Sequence, residues 1–200
     1  MSEIGFHGQR IVTDFDGVDD YVSIPAAGYF DVKSAKVTFK HVIDVDVTCY
    51  ILACNLTSGT ERSFEVWYND DKTLKLTLGT SAGTGGSTYS LDINDYVFGD
   101  EISIRFEFDG TTVTFEAVYA GVTKTLTPSR TTDLYIPTQP LRVGVWTTHS
   151  SFWANGALYD LEMGTLSTLR HRYDGPDWQD KVGTAHGTIN GSPSTLIKPK

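Results

Sequence analysis

The sequence predicts an all-β fold, a two-sheet antiparallel jelly-roll sandwich, on three observations. Strand signals recur roughly every eight to twelve residues, the spacing of a sandwich or barrel. Thr, Val, Tyr and Phe are abundant, aromatics make up 12% of the 200 residues, and helix formers are sparse. Antiparallel hairpin signals follow one another with no β-α-β rhythm between them, which selects a closed or double-sheet fold. No linker-like stretch divides the chain, so residues 1–200 read as one domain, with 174–200 as a C-terminal extension.

The clearest element runs from Glu101 to Tyr119. Ile102, Ile104, Phe106 and Phe108 alternate with Ser103, Arg105, Glu107 and Asp109. After Asp109-Gly110, Val113, Phe115, Ala117 and Tyr119 resume the alternation. Asp-Gly between two alternating runs predicts a hairpin with a type I′ turn. A second hairpin is predicted where Phe64, Val66 and Tyr68 lead through Asn69-Asp70-Asp71-Lys72 into Leu74, Leu76 and Leu78. In Val37–Val47 the apolar phase switches near Val42, which predicts a β-bulge. Further strands are expected at Ile11–Phe15, Tyr21–Ile24, Tyr50–Ala53, Tyr89–Ile93, Val122–Leu126, Leu141–Trp146 and Ala157–Met163. Only Thr165–Tyr173 reads as briefly helical, and Gly79–Thr88 reads as a surface loop.

Composition excludes several functions. A formal charge of −9 with no basic run argues against nucleic acid, whose affinity comes from clustered Lys and Arg. No apolar stretch approaches the roughly 20 residues that span a bilayer, and the N-terminus lacks the basic and apolar regions of a signal peptide. Cys49 and Cys54, on one extended run, lie on the order of 16 Å apart, too far for a disulfide. Buried reduced thiols are the expectation.

Phe15-Asp16-Gly17-Val18-Asp19-Asp20-Tyr21-Val22-Ser23-Ile24-Pro25 resembles the opening signature of the laminin-G-like and concanavalin A-like jelly rolls. Arg105–Val113 resembles that family's central hairpin, and Leu141–Val145 with Phe152–Met163 resembles its closing strands. One segment is out of place: Asp177–Ser192 resembles a stretch that usually precedes the first strand. It either fills the first-strand slot of its own sheet or pairs with a neighbouring subunit.

The resemblance implies a calcium ion held near the first hairpin by Asp19, Asp20 and the matching Asp160. Hard oxygen donors in a tight Asp-rich loop suit that ion; the competing reading is that Asp16 and Asp19 only cap turns. Glycan recognition uses aromatic platforms with polar groups beside them. Trp146, His149, Trp153 and Asn155 surround one loop and are the candidates, with Trp67 and Tyr135 as possible contributors; core packing is the alternative for each. His41 is read as facing a sheet surface.

A glycosidase needs two facing carboxylates, and the nearest approaches, Glu107-Phe108-Asp109 and Asp160-Leu161-Glu162, lack the third acid of related glucanases. The chain is therefore expected not to be an enzyme. The resemblance to stand-alone laminin-G-like phage chains implies a virion structural protein, a capsid decoration or tail-fibre-like component assembled in the host cytoplasm. Its expected partners are other virion proteins, further copies of itself, and surface glycans. The alternatives are a lectin-like module of a cell-surface or secreted system, and a glycoside hydrolase or polysaccharide lyase.

Overall fold

A computed structural model of the chain describes residues 9–26, 28–55, 62–80, 86–136, 138–146 and 152–199. The first strands are β1 (Gln9–Asp16), β2 (Tyr21–Ile24), β3 (Ala35–Val42), β4 (Cys49–Asn55) and β5 (Arg62–Asn69). Next come β6 (Thr73–Gly79), β7 (Gly86–Asp92), β8 (Glu101–Phe108), β9 (Val113–Tyr119) and β10 (Val122–Leu126). The chain ends with β11 (Leu141–Val143), β12 (Asn155–Gly164), β13 (Leu169–Tyr173), β14 (Thr188–Asn190) and β15 (Ser194–Pro199).

Two antiparallel sheets result. One runs β10-β9-β8-β3-β12-β1-β15, with β13 pairing on β12, and the other runs β14-β2-β11-β4-β5-β6-β7. Side chains alternate across each strand, so one phase of the central strands enters the shared core, whereas the edge strands β14 and β15 stay largely exposed. Phe39, Phe106, Phe108, Phe115, Leu158 and Leu161 enter from the first sheet; Val22, Leu52, Phe64, Val66, Tyr68 and Leu76 enter from the second. Phe64 of one sheet packs on Phe106 of the other with ring centroids 5.4 Å apart. Cys49 and Cys54 are buried free thiols, and burial pushes the Cys49 pKa up to about 12.

The C-terminal segment closes both sheets within its own chain. β14 pairs with β2 through Ile189 and Val22, and β15 pairs with β1 along Arg10–Asp14. Between β13 and β14 the chain is tied down by Asp180. Its carboxylate accepts hydrogen bonds from His171 Nδ1 (2.7 Å), Val182 N (3.1 Å), Arg172 N (3.2 Å) and Ala185 N (3.3 Å). Burial alone would raise the Asp180 pKa; the donors from His171, Gly183, Val182 and Arg172 outweigh it and hold the group well below the usual carboxylate range.

Four sequence expectations are corrected. Thr165–Tyr173 is not helical: Thr165 N bonds Thr168 O to turn the chain, and Leu169–Tyr173 then forms β13 against β12. Pairing with β12 overrides a weak local preference. The phase switch at Val42 is the end of β3, whose register with β8 is unbroken from Ala35 to Val42; the bulge lies on β12, between Tyr159 and Glu162. The Asp109 hairpin has a four-residue loop rather than a type I′ turn, since Phe108 pairs with Val113. Only Gly110 there has positive φ (94°), and the Asp109 carboxylate accepts the Thr111 and Thr112 amides at 2.8 and 2.7 Å. Finally, His41 points into the core. Its Nδ1 lies 2.8 Å from the Ala157 carbonyl oxygen, and burial lowers its pKa to about 4, so the ring is neutral at pH 7.

Candidate functional site

The outer face of the seven-stranded sheet carries the polar phase of its strands, and on this face aromatics occupy several of those positions. Register sets two adjacent layers. Ser23, Arg142, Ala53, Glu65 and Thr77 lie across one from β2 to β6, and Tyr50, Trp67 and Lys75 lie across the next from β4 to β6. Tyr50 and Trp67 are direct cross-strand partners, stacked at 5.6 Å and 17°. Trp146, just past β11, stacks on Tyr50 at 5.5 Å and 19°. Lys75 Nζ lies 4.7 Å from the Trp67 ring centroid, and Phe152 meets Tyr50 edge-on at 6.2 Å. Strand separation of about 4.8 Å is what lets rings on neighbouring strands stack this way.

Both indoles are oriented by hydrogen bonds. Trp146 Nε1 donates to Glu65 Oε1 at 3.0 Å, and Trp67 Nε1 to Thr77 Oγ1 at 3.5 Å. Ala53 lies between Arg142 and Glu65 in its layer. A second aromatic group adjoins the first: Trp153 lies 6.0 Å from Tyr21, whose ring is also covered by the Arg142 guanidinium at 4.9 Å. The segment bearing Trp153 is held by Tyr50 N to Phe152 O (3.1 Å) and Ala154 N to Gly144 O (2.7 Å).

Trp146, Trp153 and Trp67 thus lie on one face. Asn155 does not join them, because its amide donates to the Asp16 carbonyl at 3.0 Å and steadies the first loop. His149 lies outside the described residues. Tyr135 instead presents its carbonyl to Ser63 Oγ at 2.7 Å. Sequence reasoning missed Tyr21, Tyr50, Arg142 and Glu65. The available signal was an aromatic in the polar phase of an alternating strand, as in Tyr21-Val22-Ser23-Ile24.

The first loop gathers Asp16, Asp19 and Asp20, whose carboxylate oxygens lie within 4.8 Å of one another. Asp16 and Asp19 are exposed and Asp20 is buried. Asp20 accepts Ser192 N at 2.7 Å and Asp16 N at 3.3 Å, so the C-terminal segment docks on this loop. Burial raises the Asp20 pKa despite these two donors, and the charges of Asp16 and Asp19 add to the rise. Asp160 is not brought to this cluster. It sits on the β12 bulge with φ 52° and pairs with Arg10 of the adjacent β1, on the outer face of the eight-stranded sheet.

That outer face, on the eight-stranded sheet, holds a groove of about 670 Å³ lined by Arg10, Lys40, Arg105, Glu116, Asp160 and Glu162, among others. Its acids meet cations: Asp160 with Arg10, Glu162 with Arg172 (3.8 Å) and Glu116 with Arg105 (3.8 Å).

No protein-family model matches the chain, and no curated protein sequence matches it. Solved structures do. The LG1-3 region of the laminin α2 chain superposes with a TM-score of 0.65 at 15% identity, covering 92% of this chain and 35% of that one. The chain thus spans about a third of that structure's length. The CBM40 of the Ruminococcus gnavus IT-sialidase, solved bound to α2,3-sialyllactose, gives 0.52 at 10% identity, covering 74% of this chain and 86% of that one. The enzymatically active domain of bacteriophage CBA120 tailspike protein 2 gives 0.53 at 10% identity, covering 83% and 30%. With its two antiparallel sheets and shared core, the chain has a laminin-G-like jelly-roll fold of the concanavalin A-like type.

Proposed function

We propose that the chain is a non-catalytic, glycan-binding sandwich carried on a bacteriophage virion, as a capsid decoration or tail-fibre-like component. The observation that carries the glycan reading is the aromatic face, where Trp67, Tyr50 and Trp146 stand in one stacked row beside Trp153 and Tyr21. Rings held rigid before binding lose little entropy when a sugar packs its C–H surface on them. The sugar-bound CBM40 likeness supports the same reading. The tailspike likeness supports the virion setting. A lectin-like module of a cell-surface or secreted system is the second reading, favoured by the CBM40 likeness alone.

The test is a glycan array with quantitative follow-up. Trp153→Ala and Trp67→Ala are expected each to weaken binding at least about fivefold, taking the roughly 1–3 kcal/mol that one stacked base contributes as the scale for one lost ring. Binding unaffected by either substitution would refute the aromatic face as the site. Mass spectrometry of purified particles of the encoding phage checks the virion role; absence of the chain removes it.

The first loop fits calcium. Three carboxylates at close range supply hard oxygen donors, and two are exposed to take up an ion. A divalent cation would also relieve the repulsion that helps raise the Asp20 pKa. Asp16, Asp19 and Asp20 would hold it, in place of the set that included Asp160. Millimolar calcium is expected to raise the melting temperature by several degrees, an effect absent in Asp19→Asn, given that saturation at about 100 Kd stabilises by about 2.7 kcal/mol. A melting temperature indifferent to both calcium and chelator would dismiss the ion.

A further inference from the structure

Arg142 differs from every other arginine whose side chain is described. Arg10 pairs with Asp160 and Glu101, Arg105 with Glu107 and Glu116, and Arg172 with Glu162 and Asp174. Arg170 bonds Asp31 and the Gly28 carbonyl, and Arg130 is enclosed by the carbonyls of Leu78, Gly79 and Thr132. Arg142 alone has neither an ion pair nor a hydrogen bond among the described residues; the Tyr21 ring is what its guanidinium rests on, at 4.9 Å. In a chain of net charge −9, an uncompensated guanidinium is unusual.

Its position is as telling as its isolation. Arg142 projects from β11 between Ser23 and Ala53, neither of which can neutralise it. Trp153 lies on the same tyrosine, and the Trp146 row begins a few residues along the chain. The acid in the same layer, Glu65, lies two strands from Arg142 and is bonded to the Trp146 indole. Tyr21 supports the guanidinium at 4.9 Å, and its N–H donors have no partner among the described residues; a guanidinium fork matches a carboxylate through two parallel hydrogen bonds.

Resting on the aromatic-face reading above, we infer that this face selects carboxylate-bearing sugars, with Arg142 taking the carboxylate while Tyr21 and Trp153 pack beside the ring. Sialic and uronic acids share that chemistry, and probing both separates them. The same oligosaccharide is compared as free acid and as methyl ester, by calorimetry, on the wild-type chain and on Arg142→Gln. A parallel set with Arg142→Lys asks whether charge without the planar fork is enough.

The wild-type chain is expected to prefer the acid to its ester at least tenfold, and Arg142→Gln to bind both with equal, weak affinity. Arg142→Lys is expected to recover only part of the preference. An unchanged melting temperature confirms that the variants fold. Equal affinity of the wild-type chain for acid and ester, with binding still lost in Trp153→Ala, overturns the carboxylate proposal and leaves the aromatic face standing. The same acid-to-ester ratio in wild type and Arg142→Gln also overturns it. Failure of every sugar to bind overturns both.

Discussion

Gly156→Ala is expected to lower stability by about 4 kcal/mol, and the melting temperature by about 10 °C for a chain of this size. Gly156, the second residue of β12, has φ 114°, a backbone conformation that L side chains rarely adopt. A Cβ there would also run into the Val42 carbonyl oxygen. Strain of about 1–3 kcal/mol for the dihedral and a similar cost for forcing the backbones apart make up the total. Gly28→Ala is the control: its φ is 63°, but nothing lies within 4 Å of the added carbon, so only the dihedral cost remains. Equal melting shifts for the two variants would show that the Val42 contact carries no weight. The functional consequence follows from the neighbours, since Asn155 steadies the Asp16 loop and Trp153 belongs to the aromatic face.

Trp178→Ala is expected to cost about 3–5 kcal/mol, the range for emptying a large aromatic site. The indole is 2% exposed, its Nε1 donates to Thr13 Oγ1 at 2.8 Å, and the Tyr173 ring lies 5.9 Å away. It pins the 174–187 segment to β1, so its loss should release β14 and β15 before the rest unfolds. Hydrogen exchange would then show reduced protection in Thr188–Asn190 and Ser194–Pro199, together with a lower denaturant midpoint. Trp178→Phe keeps most of the packing but leaves Thr13 without its donor, and should cost about 1–2 kcal/mol. A loss below about 1 kcal/mol in the alanine variant would mean that the Asp180 hydrogen bonds hold the segment alone.

Much of this fold was legible because alternation is local. Ile102–Phe108 and Val113–Tyr119 show their buried phase without reference to any other strand, and the structure places that phase in the core. Errors arose where a distant partner intervened. The helical reading of 165–173 failed because β12 offered an edge to pair with. His41 looked like a surface residue because its polar ring hid the fact that it stands in the apolar phase of β3, where Nδ1 meets the Ala157 carbonyl and Nε2 is buried without a partner among the described residues. Asp160 looked like a partner of Asp19 and Asp20 by family pattern, yet the β12 bulge delivered it to Arg10.

For the candidate site, the chain order of residues offered Trp146 and Trp153 as neighbours, separated by one loop. It offered no route to Tyr21, Tyr50 or Arg142, because these meet only through the pairings of β2, β11 and β4. The sequence by itself determined that the strands exist, which side of each is apolar, and that the cysteines remain unpaired. Tertiary structure decided which strands adjoin, that 177–199 returns to its own sheets, and which polar-phase side chains converge. The reason is one of range: a two-residue period is written in adjacent residues, whereas neighbours across a sheet are chosen by the joint burial of both faces of the core.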